Sequence, residues 1–427
     1  SDYFLAGRSL GIWVFVLAAT ATSFSGWTFV GHPGKIFTDG LPYAFASFYA
    51  LTIPFTGVLF LRRQWVLGRA YRYITPGEMY SDYYGGNSIR MLTVLVAFLF
   101  SVPYLGVQLR ASGDLFSVLT DGLVNPNTGM IALSTVVMIY VASGGLRSVA
   151  FVDCAQAVLL ALGIAILGGI VIYYAGGWGG FTASFAEVVR NDLALDNNLT
   201  SDGFSSKVAL PGSIQFVSSG AQSIGGGWTG IMCMTYMFAL MGIQSSPAFS
   251  MWAYSNKTSR AFRWQQVVAS SLVIGVILFS FTIIQGIGGH VLIEKGVIEN
   301  ATDKNLIPQL INLLSDSAPW LVGLLAVCAL AAMQSTGAAY MSTFSAMVTK
   351  DIYTRYVSPK ASDKEQKSIG RFFVVFVTGS ALVVAANSSQ AIVMLGGLAV
   401  AYGFQMYPSL IGICYYKGFN RKGVVAG

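Results

Sequence analysis

Thr20-Ala-Thr-Ser-Phe-Ser-Gly-Trp-Thr-Phe-Val-Gly-His-Pro-Gly34 lies at the end of an uncharged run that begins at Leu10. A run of about 20 mostly apolar residues is enough to cross a bilayer. Its middle is unsuited to a plain helix. Thr22, Ser23, Ser25 and Gly26 are weak helix formers whose side chains or flexibility offer the backbone other arrangements, and His32-Pro33-Gly34 predicts a second interruption. Backbone groups left unpaired at membrane depth are tolerated only where protein or a wet cavity satisfies them. The stretch therefore reads either as a broken membrane helix that forms a binding site or as a kinked helix packed through small residues.

Outward from this stretch the chain keeps the same character. Of 427 residues 54% are hydrophobic and 10% charged, and the mean hydropathy is +0.63, so the chain reads as a polytopic helical membrane protein. The net charge of +7 comes from basic residues in the loops between apolar runs, a pattern that encodes orientation and calls for no nucleic-acid partner. Cys154, Cys233, Cys328 and Cys414 all fall in apolar segments without metal-ligand spacing, which predicts neither disulfides nor structural zinc. There is no Ser/His/Asp set, phosphate loop or metal cluster, so the chain does not read as an enzyme.

Ten spans follow from uncharged apolar length: 11–38, 43–61, 91–118, 129–146, 150–175, 228–255, 265–291, 318–349, 372–387 and 390–416. When loops are assigned to alternate sides, nineteen Lys and Arg fall on one side and five on the other, with Arg110 inside a span. That bias places the start of the first span in the cytoplasm of a multi-pass cell-membrane protein, the bacterial inner membrane being the expected one. The sixth span repeats the oddity of the first, because Gly242-Ile-Gln-Ser-Ser-Pro247 breaks an uncharged run near its centre. Two interrupted spans five apart are what an inverted five-plus-five repeat produces, with the two breaks facing one another at the midplane. The repeats would cover 1–175 and 228–416, joined by an extracellular connection, 176–227, with room for short surface helices.

The residues resemble the sodium:solute symporter family, which includes proline, pantothenate and sugar symporters. Asp2-Tyr-Phe-Leu-Ala-Gly-Arg-Ser-Leu10 resembles the lead into its first core helix, and Ser25-Gly-Trp-Thr-Phe-Val-Gly-His-Pro-Gly34 is similar to the proline-symporter form of that helix. Tyr140-Val-Ala-Ser-Gly-Gly-Leu-Arg-Ser148 with Val152-Asp-Cys-Ala-Gln156 matches its most specific motif. Ala331-Ala-Met-Gln-Ser-Thr336, with Ser345 and Thr349-Lys-Asp-Ile-Tyr353, resembles its eighth core helix. The resemblance implies an all-helical fold of the leucine-transporter type, a single transmembrane core over 1–427, and sodium as the coupling ion. Family members carry one helix before this core and further helices after it, so the chain reads as a fragment.

The resemblance also implies a sodium site made of the carbonyls of Ala21, Phe24 and Ala332 and the hydroxyls of Ser335 and Thr336. Ser23 stands where the similar proline symporters have an aspartate, and Trp252 where many relatives have an arginine after the sixth-span break. Ser23, Trp27, Gln108, Gln244 and Ser245 are the candidate solute contacts, being polar or aromatic groups at or near the two breaks. Asp153 begins the fifth span just beyond Arg147; the resemblance makes it part of the ion's inner exit route, and the alternative is a cytoplasmic-edge pair with a nearby base. Arg110 and Asp114, one helical turn apart, read as an internal ion pair, and His32 as a solvated vestibule residue. The expected function is sodium-coupled import of a small polar organic solute, such as an amino acid or carboxylate, by alternating access. The alternative is a transporter-like sensor domain of a membrane-bound histidine kinase, with its signalling module fused or associated outside this fragment.

Overall fold

A computed structural model of the chain describes residues 2–46, 49–196, 199, 203–210, 228–387 and 392–427. Regular structure within them is helical, apart from two isolated bridges between single residues. Where backbone is surrounded by hydrocarbon, helices satisfy its donors and acceptors internally.

The first span is Ile12–Ser23 followed by Trp27–Asp39, the two halves bent by 53°. The second is Tyr49–Tyr71 and the third Asn87–Leu119. The fourth and fifth are two helices that run on from one another through Pro126–Tyr174, 49 residues that amount to two membrane thicknesses, parted by a corner of non-helical backbone. The corner is Gly145, at φ 58° and ψ −150°, where any Cβ would collide with the backbone of Tyr3. Only glycine takes both that dihedral and that neighbour without strain. The sixth span runs Gly230–Ser245 and Pro247–Ser255, the seventh Ala261–Glu294, the eighth Pro319–Val357 and the ninth Asp363–Asn387. The tenth, Ile392–Phe404 with Met406–Cys414, completes the ten.

Two features depart from the sequence expectations. The His32-Pro33-Gly34 interruption does not break the chain again. Trp27–Gly31 forms a π-helical stretch and His32–Asp39 continues as α-helix, with Pro33 in the first turn, where a missing N–H costs least. The connection after the fifth span holds an 18-residue helix, Gly177–Ala194, longer than the short helices expected; residues 197, 198, 200–202 and 211–227 of that connection lie outside the described residues. A further short helix, Pro76–Tyr84, lies between the second and third spans. It starts on a capping box in which Thr75 accepts from the Glu78 amide and Glu78 accepts from that of Thr75.

The eighth span packs along the fourth–fifth pair, and both flank the inner half of the first span. That half is clasped at its N-terminal end. The Leu10 amide donates to Ser255 O (3.2 Å), the Lys257 amide to Leu10 O (3.0 Å), and Arg8 donates to the carbonyls of Gly68, Arg72 and Tyr73 at 2.7–3.0 Å. These contacts tie the lead segment to the ends of the second and sixth spans. On the opposite face the Leu41 amide donates to Lys207 O (2.9 Å), and Lys207 forms a buried ion pair with Asp192 (2.5 Å).

Candidate functional site

The break in the first span comes from Phe24, whose φ −120° and ψ 126° are those of extended chain. The last carbonyls of Ile12–Ser23 are thereby freed from the ladder and turned toward the eighth span. There, Ser335 Oγ lies 3.3 Å from Ala21 O and 3.2 Å from Ala332 O, while Thr336 Oγ1 lies 3.3 Å from Phe24 O and 3.4 Å from Ala332 O. All five residues are buried.

These separations are informative. Ordinary hydroxyl-to-carbonyl hydrogen bonds cluster at about 2.7–2.8 Å. Thr349 to Ser345 O at 2.8 Å, Ser345 to Gly370 O at 2.7 Å and Ser23 to Ala19 O at 2.9 Å are near that distance, while Ser245 lies 3.3 Å from Gly242 O and 3.4 Å from Met241 O. A hard cation held by oxygens at roughly 2.3–2.6 Å sets neighbouring ligands roughly 3.3–3.7 Å apart when they subtend a right angle. The 3.2–3.4 Å spacing of these five oxygens, three of them carbonyl dipoles with two lone pairs each, overlaps the separation of neighbouring ligands around a small hard cation. The set carries no formal charge, which suits a monovalent ion.

The candidate solute contacts gather at the same break. Gln244 Nε2 donates to Ser23 Oγ at 3.1 Å, which brings the sixth-span break against the first. Gln108 presents its side-chain oxygen to the Gly26 amide at 2.7 Å and donates to Tyr104 O at 3.0 Å, so it satisfies backbone that the break leaves open. Trp27 lies on the outer side, its ring 5.3 Å from that of His32 and against Gly396 of the tenth span. Ser245 is not part of this group, because its hydroxyl donates to Gly403 O at 3.0 Å and ties the sixth span to the tenth.

Asp153 is fully buried, and neither carboxylate oxygen has a hydrogen-bond partner among the described residues. No ion pair joins it to Arg147, so the cytoplasmic-edge pairing is not formed. Arg110 and Asp114 do form the expected pair, at 3.3 Å. His32 is no vestibule residue. It is fully buried between the rings of Trp27 and Tyr43, with Nδ1 3.0 Å from Thr282 Oγ1. The chain reaches it directly from the π-helical stretch Trp27–Gly31, and packing of the first span against the seventh covers its side chain.

A scan against protein-family models matches residues 3–427 to the sodium:solute symporter family. The chain belongs to that family. Among curated relatives, the sodium/proline symporter of Escherichia coli (strain K12) is 26% identical over all of this chain and 80% of its own length. The sodium/pantothenate symporter of the same organism is 22% identical over 100% and 82%. Among solved structures, a Na+-coupled sialic acid symporter in a substrate-bound outward-open state superposes with a TM-score of 0.75 at 16% identity, over 99% of this chain and 82% of that one. MhsT in complex with L-phenylalanine gives 0.60 at 13%, over 98% and 92%. The fold is the leucine-transporter type, two inverted five-helix repeats, and the protein is a sodium-coupled secondary transporter of the membrane. These relatives are transporters, and nothing in them favours the sensor reading.

Sequence reasoning missed the polar lining behind the symporter's break. Gln266 donates to Gln244 Oε1 (3.3 Å) and is hydrogen-bonded to Gln265. Gln265 donates to Ser270 (2.9 Å), which lies 3.3 Å from Thr20. Gln64 donates to Ser250 (2.9 Å), and Trp252 Nε1 to Thr22 Oγ1 (3.2 Å). The available signal was three glutamines inside or at the ends of otherwise apolar spans. A buried amide in a membrane costs about 1–3 kcal/mol unless partnered, so such residues mark internal networks.

Proposed function

We propose that this symporter imports a small polar organic solute, of the amino-acid or carboxylate class, together with Na+ bound by Ala21, Phe24, Ala332, Ser335 and Thr336. The single observation that supports the ion site is the convergence of these five oxygens at the break, spaced 3.2–3.4 Å along their links as neighbouring ligands of one small cation are. The ion supplies a positive charge that joins the broken first span to the eighth. Ser335 and Thr336 orient their lone pairs toward it, and the freed carbonyls of Ala21 and Phe24 hold the inner half of the first span against the eighth. Binding of the ion therefore favours the arrangement in which the N-terminal clasp is closed and the solute pocket is assembled.

In this reading the solute contacts Ser23, Trp27, Gln108 and Gln244, with Ser245 acting through the tenth span. No Asp, Glu, Lys or Arg is among these residues, so recognition uses amide and hydroxyl hydrogen bonds and the ends of broken helices. Asp153, buried and partnerless, is placed on the ion's inward route, where a passing cation would relieve its burial. One charge moving down 100 mV supplies ~2.3 kcal/mol, enough for roughly fifty-fold accumulation before any sodium gradient is counted. The test is uptake into proteoliposomes of radiolabelled amino acids, monocarboxylates, vitamins and sugars under an inward sodium gradient. Sodium-dependent uptake of an amino acid or carboxylate is expected. Uptake confined to sugars would refute the solute class, and equal uptake without sodium would refute the coupling.

A further inference from the structure

At the cytoplasmic edge the second and tenth spans enclose an open cleft of ≈ 330 Å³, lined by Arg62, Arg63, Val66, Leu67, Ile413 and Cys414. Arg62 follows directly on the uncharged run of the second span, and Cys414 is the last residue of the tenth, so the cleft opens at the headgroup level of the inner leaflet. Aromatic residues mark the same depth. Tyr415 and Tyr416 are about half exposed, as rings at the membrane interface are.

The two arginines differ. Arg63 is committed to the protein, its guanidinium 4.0 Å from the centre of the Tyr415 ring and donating to Cys414 O at 2.9 Å. Arg62 is exposed and has no ion pair or hydrogen bond with any described residue. The lining contains two fixed positive charges, no carboxylate, and an apolar floor of Val66, Leu67 and Ile413. A soluble anion would find the charges but have no use for the floor. A phospholipid with an anionic headgroup uses both, its phosphate on the guanidinium and the start of its acyl chains on the floor.

The position gives the ligand a role. The second span packs chiefly against the inner half of the sixth and the start of the seventh, whereas the tenth packs chiefly against the third. Alternating access in this fold is largely rocking of one helical unit against another. A molecule seated between the second and tenth spans bridges two such units at their cytoplasmic seam.

We propose that this cleft is a binding site for an anionic phospholipid of the inner leaflet, which bridges the second and tenth spans and stabilises the inner-closed arrangement. The proposal does not depend on which solute is carried. The purified full chain is examined by native mass spectrometry and thermal unfolding in detergent with added phosphatidylglycerol, phosphatidylcholine or inorganic phosphate. The expected result is one retained phosphatidylglycerol and a rise in Tm of several degrees, with neither effect from phosphatidylcholine or inorganic phosphate. Arg62→Gln should reduce retention at least fivefold and abolish the rise, while Lys364→Gln, at a cytoplasmic lysine outside the cleft, should behave as the parent. Val66→Trp, which fills the floor and keeps both charges, should also exclude the lipid and separates site loss from charge loss. Undiminished retention in both Arg62→Gln and Val66→Trp, equal retention of phosphatidylcholine, or the same rise with inorganic phosphate would each overturn it.

Discussion

Removal of the two side-chain oxygens from the ion shell, Ser335→Ala with Thr336→Ala, tests the central geometry most directly. Ala21, Phe24 and Ala332 contribute backbone carbonyls that substitution cannot delete, so two of five ligands are lost and three remain. A contact between a polar group and a full charge is worth about 1.5–3 kcal/mol, and water entering the shell recovers part of it. Two such contacts give a net loss between ~1.4 and ~3 kcal/mol, or about tenfold to about hundredfold in sodium affinity. Folding should survive, because alanine is well suited to a tight helix-packing position. The hydroxyls are also poor hydrogen bonds to give up, being 3.2–3.4 Å from their carbonyls. The assay is uptake against sodium concentration at fixed solute in proteoliposomes, with reconstituted protein quantified. Half-maximal sodium should rise at least tenfold with expression retained. Unchanged sodium dependence would refute the site, and would leave coupling either at other residues or to protons.

Gln244→Ala should raise the apparent solute constant about tenfold, the loss of a polar contact of ~1.5 kcal/mol, with sodium affinity measured without solute changing much less; equal loss of both would mean a folding defect. Ser245→Ala, whose hydroxyl reaches Gly403, should act instead by loosening the sixth span from the tenth, seen as a lower Tm with a smaller change in the solute constant. Gly145→Ala forces a side chain to φ 58° and ψ −150° and onto the Tyr3 backbone, so expression should collapse; that glycine-only dihedral region alone costs about 1–3 kcal/mol, and wild-type expression and Tm would show that the corner is not strained. Single cysteines at the exposed position 190 and within 295–304 should be labelled from outside in sealed right-side-out vesicles, and those at 62–72 and 355–367 should not; labelling of the second set would invert the orientation.

How much of this was legible in the residues follows from the range over which each signal acts. Span number and side are written locally, because a bilayer admits only long apolar runs and biases Lys and Arg to one face. The fourth and fifth expected spans were separated near Gly145, where non-helical backbone parts the two helices. The breaks at Ser23-Phe24-Ser25-Gly26 and Gln244-Ser-Ser-Pro247 were also legible, since weak helix formers and proline act on their own backbone. The ion-shell residues came from the resemblance of Ala331 to Thr336 and of the first span to a known family. Neither stretch says by composition that 314 positions separate two atoms 3.3 Å apart.

Packing alone settled the rest. His32, expected to be wet, is buried in the assembled bundle between Trp27 and Tyr43 and beside Thr282 of the seventh span. Ser245 and Gln244 are neighbours in the chain with equal claims on the pocket, yet one faces Ser23 and the other Gly403, because the helix places adjacent side chains about 100° apart. Asp153 lacks the Arg147 partner that sequence proximity offered, since the helix that carries both turns them apart. The glutamines at 64, 265 and 266 found their partners only when the second, sixth and seventh spans met, Gln64 on Ser250, Gln265 on Ser270 and Gln266 on Gln244. Hydropathy and helix-breaking act within a few residues, whereas ligand sets and hydrogen-bond partners depend on which faces the assembled helices present to one another.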